Sequence, residues 1–539
     1  LSQEEEDDTD LEFLDRLDQT GHSSSSDDSA PNSSDDSSVG SSNSNSEGEE
    51  LEVRGGSNSL GASRQALISS SQQVVDDGPP DNPVFAGGVA SLAGRFAKQL
   101  KVVPPTRVTT LFPVGTSHIW GTGRDGSVHI WNAKNGELLS THERAHEGCI
   151  KAAAPVLDTV WMSCPKQQAI GVWHVRRADV GGARVEKRSG TLQVGQWSMT
   201  SGKISHWKMR FVVINFKDGS LKVFSMPKTS SSKNLAENVF MNPFDSTPTP
   251  TTAPMKEISL INTPSNPVTF GLALEHSPST FKVSCQATTL YFELEEEHDM
   301  LEWLECIASI ATGDRLICLT TLNNEWTRNI TIMHVPSVKG ELLLTGSSDA
   351  DLSIVSWNVH TKSVVCSVKL AAHFDRDITG SMPEGKDARI SSIVTSTKYR
   401  YTLAAVGSIV FVLNNKTLDV VQTLRKGNSP ITSMAITRPR EIWTACKDGT
   451  VNVWNAQSLT FIATFAVPST VDRIYCIVPV STTRAWTAGK DGIVRIWNTA
   501  ERSLETTLPL HHRSAVHTLI LWHHSMWSCG PDKSICIWT

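Results

Sequence analysis

The chain has 539 residues, 39% of them hydrophobic, with sixteen Trp and a net charge of −7. That length suffices for two to four domains with sizeable cores, and no run of eighteen apolar residues offers a membrane-spanning helix. Ten Cys without a CxxC or a Cys/His ligand spacing argue against zinc, a disulfide framework or a redox motif, and fit a reducing, intracellular compartment. The charge is split: residues 1–60 carry 17 Asp/Glu against 2 Lys/Arg, and the remainder 39 against 47. An acidic start with so mild a basic excess behind it gives no support to nonspecific nucleic-acid binding.

Residues 1–82 are rich in Ser, Asp, Glu, Asn and Gly and poor in aromatics. Such a composition buries too little apolar surface to offset chain entropy, so it reads as a disordered acidic tail. Ser23–Ser26 before Asp27-Asp28, and Ser33-Ser34 before Asp35-Asp36, match acidic-directed kinase substrates or plain solvating low complexity. Residues 83–106 read as a linker, with loosely helical spacing of Val84, Phe85, Leu92, Phe96 and Leu100 and a stop at Pro104-Pro105. The chain starts on Leu without a signal segment and ends at Thr539 directly behind a strand pattern, so a fragment is expected.

From residue 107 one phrase recurs. IWGTGRDGSVHIWN (119–132), IWTACKDGTVNVWN (442–455), AWTAGKDGIVRIWN (485–498) and MWSCGPDKSICIWT (526–539) each pair two short strands around an Asp-Gly-type turn and end on Trp. Asp125-Gly126, Asp448-Gly449 and Asp491-Gly492 supply the turn's positive φ and its side-chain acceptor. The closing positions Trp131, Trp173, Trp357, Leu413, Trp454, Trp497 and Trp538 count seven units, four of whose six spacings are 41 to 43 residues. Between Trp173 and Trp357 the spacing stretches to 184 residues, which predicts an insertion of roughly 140 residues in the loop after Trp173. The turn of the second unit, VWMSCPKQQAIGVWHV, has lost its Asp.

These phrases resemble the WD-repeat family of β-propellers. The resemblance implies a seven-bladed propeller over 107–183 and 313–539. It also implies a buried network per blade joining His, Ser/Thr, Asp and Trp, which in the last blade would be His512, Ser528, Asp532 and Trp538. His146 and His373 stand at comparable positions upstream of their strands. A set that recurs per blade is structural rather than a catalytic triad.

Residues 184–312 follow another pattern. Period-two strands are expected at 190–194, 206–214, 219–224, 257–261, 268–274, 280–286 and 289–294. A helical pattern then places Met300, Leu301, Leu304, Ile307 and Ile310 on one face, with Trp303 among them. The GTL start, WKMRF in the second strand, GSLKVF in the third and EW in the helix resemble a pleckstrin homology (PH) domain. The fold class expected is therefore all-β: a seven-bladed WD-repeat propeller interrupted after its second blade by a PH domain, a seven-stranded barrel plus C-terminal helix.

That resemblance implies phosphoinositide binding by Lys203, Lys208 and Arg210 beside the first loop, with Trp197 and Met199 at the loop tip in membrane contact. Residues 184–233 hold ten Lys/Arg and two Asp/Glu, while 293–305 hold seven acidic residues, a polarity that turns the basic end to an anionic membrane. Gln193 and Val194 stand where lipid-binding members usually carry Lys. Asn242-Pro243-Phe244, in a Ser/Thr/Pro-rich loop, is the tripeptide read by Eps-fifteen-homology domains of endocytic adaptors.

No Gly-rich phosphate cradle, metal cluster or catalytic carboxylate pair is present in the sequence. The reading is a cytoplasmic, peripheral scaffold: other proteins bind the propeller face, anionic membrane or phosphoinositide binds the inserted domain, and no cofactor or nucleic acid is required. An alternative follows from the blade phrase, which also resembles the N-terminal propellers of plant- and protist-type inositol polyphosphate 5-phosphatases. It would make the chain a regulatory half whose catalytic domain, using Mg²⁺, lies beyond residue 539. A link to guanine-nucleotide exchange or kinase signalling is the third reading.

Overall fold

The computed structural model describes residues 94–539 apart from 103–105, 144, 158, 165, 176–186, 199–202, 227–252, 287, 313–315, 337–339, 375–381, 438–439 and 468–472. The side chains of 101, 175, 187, 196–198, 203, 205 and 206 also lie outside the description. The acidic tail and Asn242-Pro243-Phe244 fall outside the described residues.

Strand pairing gives seven four-stranded antiparallel sheets and one seven-stranded sheet. Blade 1 runs Val108–Val114, His118–Gly123, Val128–Asn132 and Leu138–His142 in simple meander order. Blades 3 to 6 repeat that order between Ile330 and Thr507. The first strands contact one another around a complete ring, each blade to its neighbours and blade 7 to blade 1. The architecture is a closed seven-bladed propeller, whose separate sheets keep only short edges at their inner and outer strands.

Local chemistry explains why the repeat forms blades. The central strands are buried on both faces (Ala-Trp-Thr-Ala-Gly at 485–489, for example), so they read as continuous apolar runs. At the turns Gly126, Gly449 and Gly492 adopt φ of 83°, 80° and 71°, a region open to Gly at little steric cost. The preceding carboxylates accept from the residues two further on: Asp125 from the Ser127 N–H at 3.1 Å, and Asp448 from the Thr450 N–H at 3.0 Å. Seven apolar clusters each lie in the space between two neighbouring blades, so stability is distributed around the ring. Hydroxyls stitch the inner strands together: Thr109 donates to the Ile150 carbonyl at 2.9 Å, Thr331 to Ile390 at 3.0 Å and Ser391 to Ile431 at 2.7 Å.

Two parts depart from the sequence expectation. Residues Phe96–Lys101, expected as linker, form a strand paired antiparallel with Ser534–Trp538, with Leu100 opposite Ile535 and Gln99 opposite Cys536. That strand supplies the fourth, outermost position of blade 7, whose other strands are Thr518–Trp522, Ser525–Cys529 and Ser534–Trp538. The Arg95 N–H donates to Thr539 at 2.7 Å and the Thr539 N–H to Arg95 at 2.8 Å, continuing the ladder.

The insertion also enters elsewhere than expected. It falls within blade 2 rather than after it. Ala152–Val156, Thr159–Cys164 and Ala169–Val175 are completed by Leu316–Leu322, which pairs with the third strand from Leu316 opposite Val175 to Leu322 opposite Ile170. Between them lies the seven-stranded sheet, whose strands are Lys187–Ser198, Lys203–Asn215, Ser220–Ser225, Lys256–Ser259, Val268–Leu272, Thr280–Cys285 and Thr288–Glu293. The first strand pairs with both the second and the last, so two meanders join through it. A helix, α1 (Glu297–Ala311), then buries Met300, Trp303, Leu304 and Ile307 against that sheet. The insertion shares one apolar cluster with blades 2 and 3, including Trp161 and Trp357, so it is packed onto the propeller rather than tethered to it. At its closest approach a Cβ on Gly271 would meet the Leu319 carbonyl oxygen at 2.6 Å, which requires glycine there.

Candidate functional site

Three groups of polar residues repay examination: the per-blade networks, the basic hairpin of the insertion, and the acidic helix beside the propeller.

In blade 7 the structure brings His512, Ser528, Asp532 and Trp538 together. The His512 Nδ1 lies 3.0 Å from the Asp532 carboxylate and its Nε2 2.8 Å from Ser528 Oγ, which accepts from Trp538 Nε1 at 2.9 Å. Burial pushes the Asp532 carboxyl up, but hydrogen bonds and the His512 charge outweigh it and hold it below the ordinary value. The His512 side chain is 0% and Asp532 5% exposed, so no substrate reaches this Ser-His-Asp line. The Trp-to-hydroxyl bond recurs at Trp357–Thr345 (3.0 Å), Trp454–Thr444 (3.3 Å) and Trp497–Thr487 (2.8 Å), which marks it as a structural unit. Trp131 has no such hydroxyl bond and is instead stacked on His129.

Blade 2 keeps the network although it lost the Asp. Gln167 Oε1 takes its place 2.8 Å from His146 Nδ1, and Trp173 Nε1 donates to His146 Nε2 at 3.2 Å. His373 does not join one. It ends a short 3-10 turn, Leu370–His373, on the surface. The acids Asp125, Asp448 and Asp491 serve their own turns, and for Asp125 the bonds from Ser127 and Thr106 overcome the upward push of burial.

The basic hairpin is built from the first two strands of the insertion, 12 and 13 residues long. Lys208 lies opposite Val194 and Arg210 opposite Leu192. Alternation puts Lys208, Arg210, Val212 and Ile214 on one face. Along that face exposure falls from Lys208, exposed, through Arg210, half-buried, to Val212 and Ile214, both fully buried. The same face is core at one end and solvent-facing at the other, and Lys208 and Arg210 stand toward the solvent-facing end. Val194 lies opposite Lys208 and pairs also with Phe292. A bulge between Ser205 and Lys208 bends the strand, and a Cβ on Gly195 would meet Ile204 at 2.3 Å. The Lys203 backbone pairs with Ser198 and that of Trp197 with Ile204. Their side chains, and all of Met199, lie outside the described residues.

Sequence reasoning missed the third group. Acids of α1 lock the insertion to the propeller: Glu305 reaches His174 of blade 2 at 2.7 Å, and Glu297 reaches Lys362 and His360 of blade 3, each at 3.2 Å. The Lys362 side chain is only 2% exposed, and its ammonium also donates to the His360 carbonyl at 3.0 Å. Within the insertion Glu302 holds Arg188 at 2.8 Å, stacked over Trp303. Glu297→Ala is expected to cost about 2 kcal/mol by leaving the Lys362 ammonium buried without its carboxylate. The check is the urea midpoint, with Lys362→Met in the same background expected to recover most of the loss; an unchanged midpoint for Glu297→Ala rules the lock out.

No protein-family profile matches the chain. Over 480 residues, 84% of this chain, it is 23% identical to a "Probable serine/threonine-protein kinase roco6" of Dictyostelium discoideum, and it spans about a fifth of that protein. A computationally designed protein, Ika8, aligns over 83% of this chain and 99% of its own at 12% identity, with a TM-score of 0.42. The propeller is read from the strand pairing, which stands without either likeness.

Among the described residues no cluster of three or more His, Cys, Asp or Glu could hold a metal ion. No helix among them is long and apolar enough to cross a membrane.

Proposed function

We propose that the chain is a non-catalytic interaction platform, a WD-type propeller that binds proteins and carries a PH-type domain that binds anionic headgroups of membranes. The observation that carries the second half is the placing of Lys208 and Arg210 together on one face toward the exposed end of a sheet that a helix closes. The strand order supports the PH reading, because the first strand joins both meanders and the helix covers the core end. Recurrent Asp-Gly turns and the His–Ser–Asp–Trp line support the WD reading. Rigid blades with variable connecting loops suit protein recognition. On this reading the protein is cytoplasmic and peripheral, and it needs no cofactor.

The test is flotation of the full chain with vesicles containing a phosphoinositide against vesicles of phosphatidylcholine alone. Two cations at roughly 1 kcal/mol each predict that Lys208→Ala/Arg210→Ala weakens binding by roughly thirtyfold. Equal binding by the double variant, or no binding by the wild type, would sink the lipid reading.

The long alignment favours one larger setting, in which the platform is the regulatory region of a multidomain signalling protein of the kinase type. No observation favours the 5-phosphatase alternative over it. Transcript sequence beyond codon 539 separates the two by the catalytic domain it encodes, if any.

A further inference from the structure

The joints between neighbouring blades are not all built alike. In blades 1, 3, 4 and 5 the bulged residue of the first strand is a hydroxyl that donates to a carbonyl of the next blade. Thr109 reaches Ile150 at 2.9 Å, Thr331 reaches Ile390 at 3.0 Å, Ser391 reaches Ile431 at 2.7 Å, and Thr432 reaches Ile474. Between blades 2 and 3 the Ser163 hydroxyl does the same work, donating to the Ile330 carbonyl at 3.3 Å. Two joints add a backbone donor to a hydroxyl oxygen, Met434 to Ser392 at 3.1 Å and Ile477 to Ser433 at 3.3 Å.

Both joints of blade 7 differ. The bulged residue of blade 6 is Tyr475, whose ring lies against His517 of blade 7 with centroids 4.5 Å apart. The Nε2 of that histidine is buried without a partner. Cys476 stands where blades 4 and 5 have Ser392 and Ser433, and its sulfur is hydrogen-bonded to the Leu519 backbone. Cys529 stands where blade 2 has Ser163, and its thiol donates to the Val108 carbonyl of blade 1 at 3.9 Å. A thiol is a weak donor and a weak acceptor, so sulfur at these two positions holds less firmly than the hydroxyls elsewhere. The connectivity adds to this. Blade 7 takes its outer strand, Phe96–Lys101, from ahead of blade 1 and its other three from behind blade 6. Local opening follows the least firmly held boundary of a fold.

We propose that blade 7 is the opening unit of the ring, parting from blades 6 and 1 while blades 1 to 6 stay joined. This goes beyond the platform reading and depends on neither half of it. It gives an otherwise closed ring one defined place where its inner walls become accessible.

Buried thiols report the motion. Cys536 lies in the apolar cluster shared with blade 6, and Cys529 in the one shared with blade 1. Both are fully buried, and Cys164 in blade 2 and Cys446 in blade 5 are as well hidden. None of the four is alkylated without an opening. Each rate, divided by that of the unfolded chain in urea, therefore measures how often its own blade opens. The full chain is treated with iodoacetamide without denaturant, and the sites are read by peptide mass spectrometry. Cys529 and Cys536 are expected to react faster than Cys164 and Cys446 by roughly tenfold or more. Cys476→Ser/Cys529→Ser, which puts hydroxyls at both joints, is expected to slow Cys536 roughly threefold and leave Cys446 unchanged. Tyr475→Thr, which supplies the bulge hydroxyl of the other blades, gives the same readout should the double variant fold poorly. Equal corrected rates at all four sites overturn the proposal, because the ring then opens only as a whole. A Cys446 that outruns blade 7 overturns it as well. A Cys536 rate unmoved in every folded variant does so too, by separating the opening from these joints.

Discussion

A chain beginning at Val102 is expected to be less stable than one beginning at Gly94 by on the order of 5 kcal/mol. Phe96–Lys101 covers the outer edge of blade 7, burying Leu100 against Ile535 and Ile537 in the cluster shared with blade 1. Losing one buried Leu costs about 1.5–3 kcal/mol, and the several ladder bonds lost with it about 1 kcal/mol each. Phe96 adds a stacked contact with His511, ring centroids 3.7 Å apart. The shortened chain also bares a strand edge of Ser-Ile-Cys-Ile-Trp, so aggregation at a lower temperature should accompany the loss. Urea unfolding and light scattering during heating measure both. Matching midpoints would mean that the strand closes nothing.

Acid is expected to weaken the fold well before carboxylates titrate. Burial pushes the imidazoles of His334 and His517 down to about 4, with the Arg107 charge adding to the effect at His517. Each has a buried Nε2 without a hydrogen-bond partner in the described structure. As pH falls below the ordinary histidine value, the unfolded chain takes up protons that the folded chain refuses. Stability is therefore full above about 6.5 and drains away between there and about 4, by roughly 3 kcal/mol for each histidine. Asp125 and Asp532, held below the ordinary carboxylate value, contribute stability that is present above that value and lost as pH falls through it, so their loss continues below the histidine window. Denaturant midpoints at pH 7, 5.5 and 4.5 test this, and His334→Gln should make the slope shallower, the rest being shared by His517 and the buried His129 and His146. A flat profile from 6.5 to 4.5 would refute the assignment.

Sequence alone carried the ring and the strands and helix of the insertion, but not where the insertion enters the ring or what holds it there. Asp448-Gly449 and Trp454 announce a blade because turn geometry and strand burial are local demands, met within fourteen residues. Even Leu413, without its Trp, keeps its place by period. Phe96–Lys101 hid because Phe-Ala-Lys-Gln-Leu-Lys has the spacing of a helix turn; only the edge of Ile535–Ile537, more than four hundred residues away, makes it a strand. Leu316–Leu322 was passed over in the same way, since its partner lies before the insertion. The lock of Glu297 and Glu305 on Lys362 and His174 was invisible because acids on a helix face ordinarily read as solvated. Gln167 showed that an acceptor of another residue type fills the same hydrogen-bonding role, while His373 showed that position in the repeat alone does not assign one.

The pairing of Leu100 with Ile535 also dictates an order of events during synthesis. The strand made first must wait, unpaired, for the partner made last. At 5–20 residues per second that delay is roughly 20–90 s on the ribosome. Blade 2 imposes a second wait, since three of its strands precede the insertion and the fourth follows it. Between these intervals the nascent chain exposes ladder groups at two places. Factors that shield strand edges during translation therefore have their work set out for them by the connectivity of this ring, and closure marks the moment they can leave.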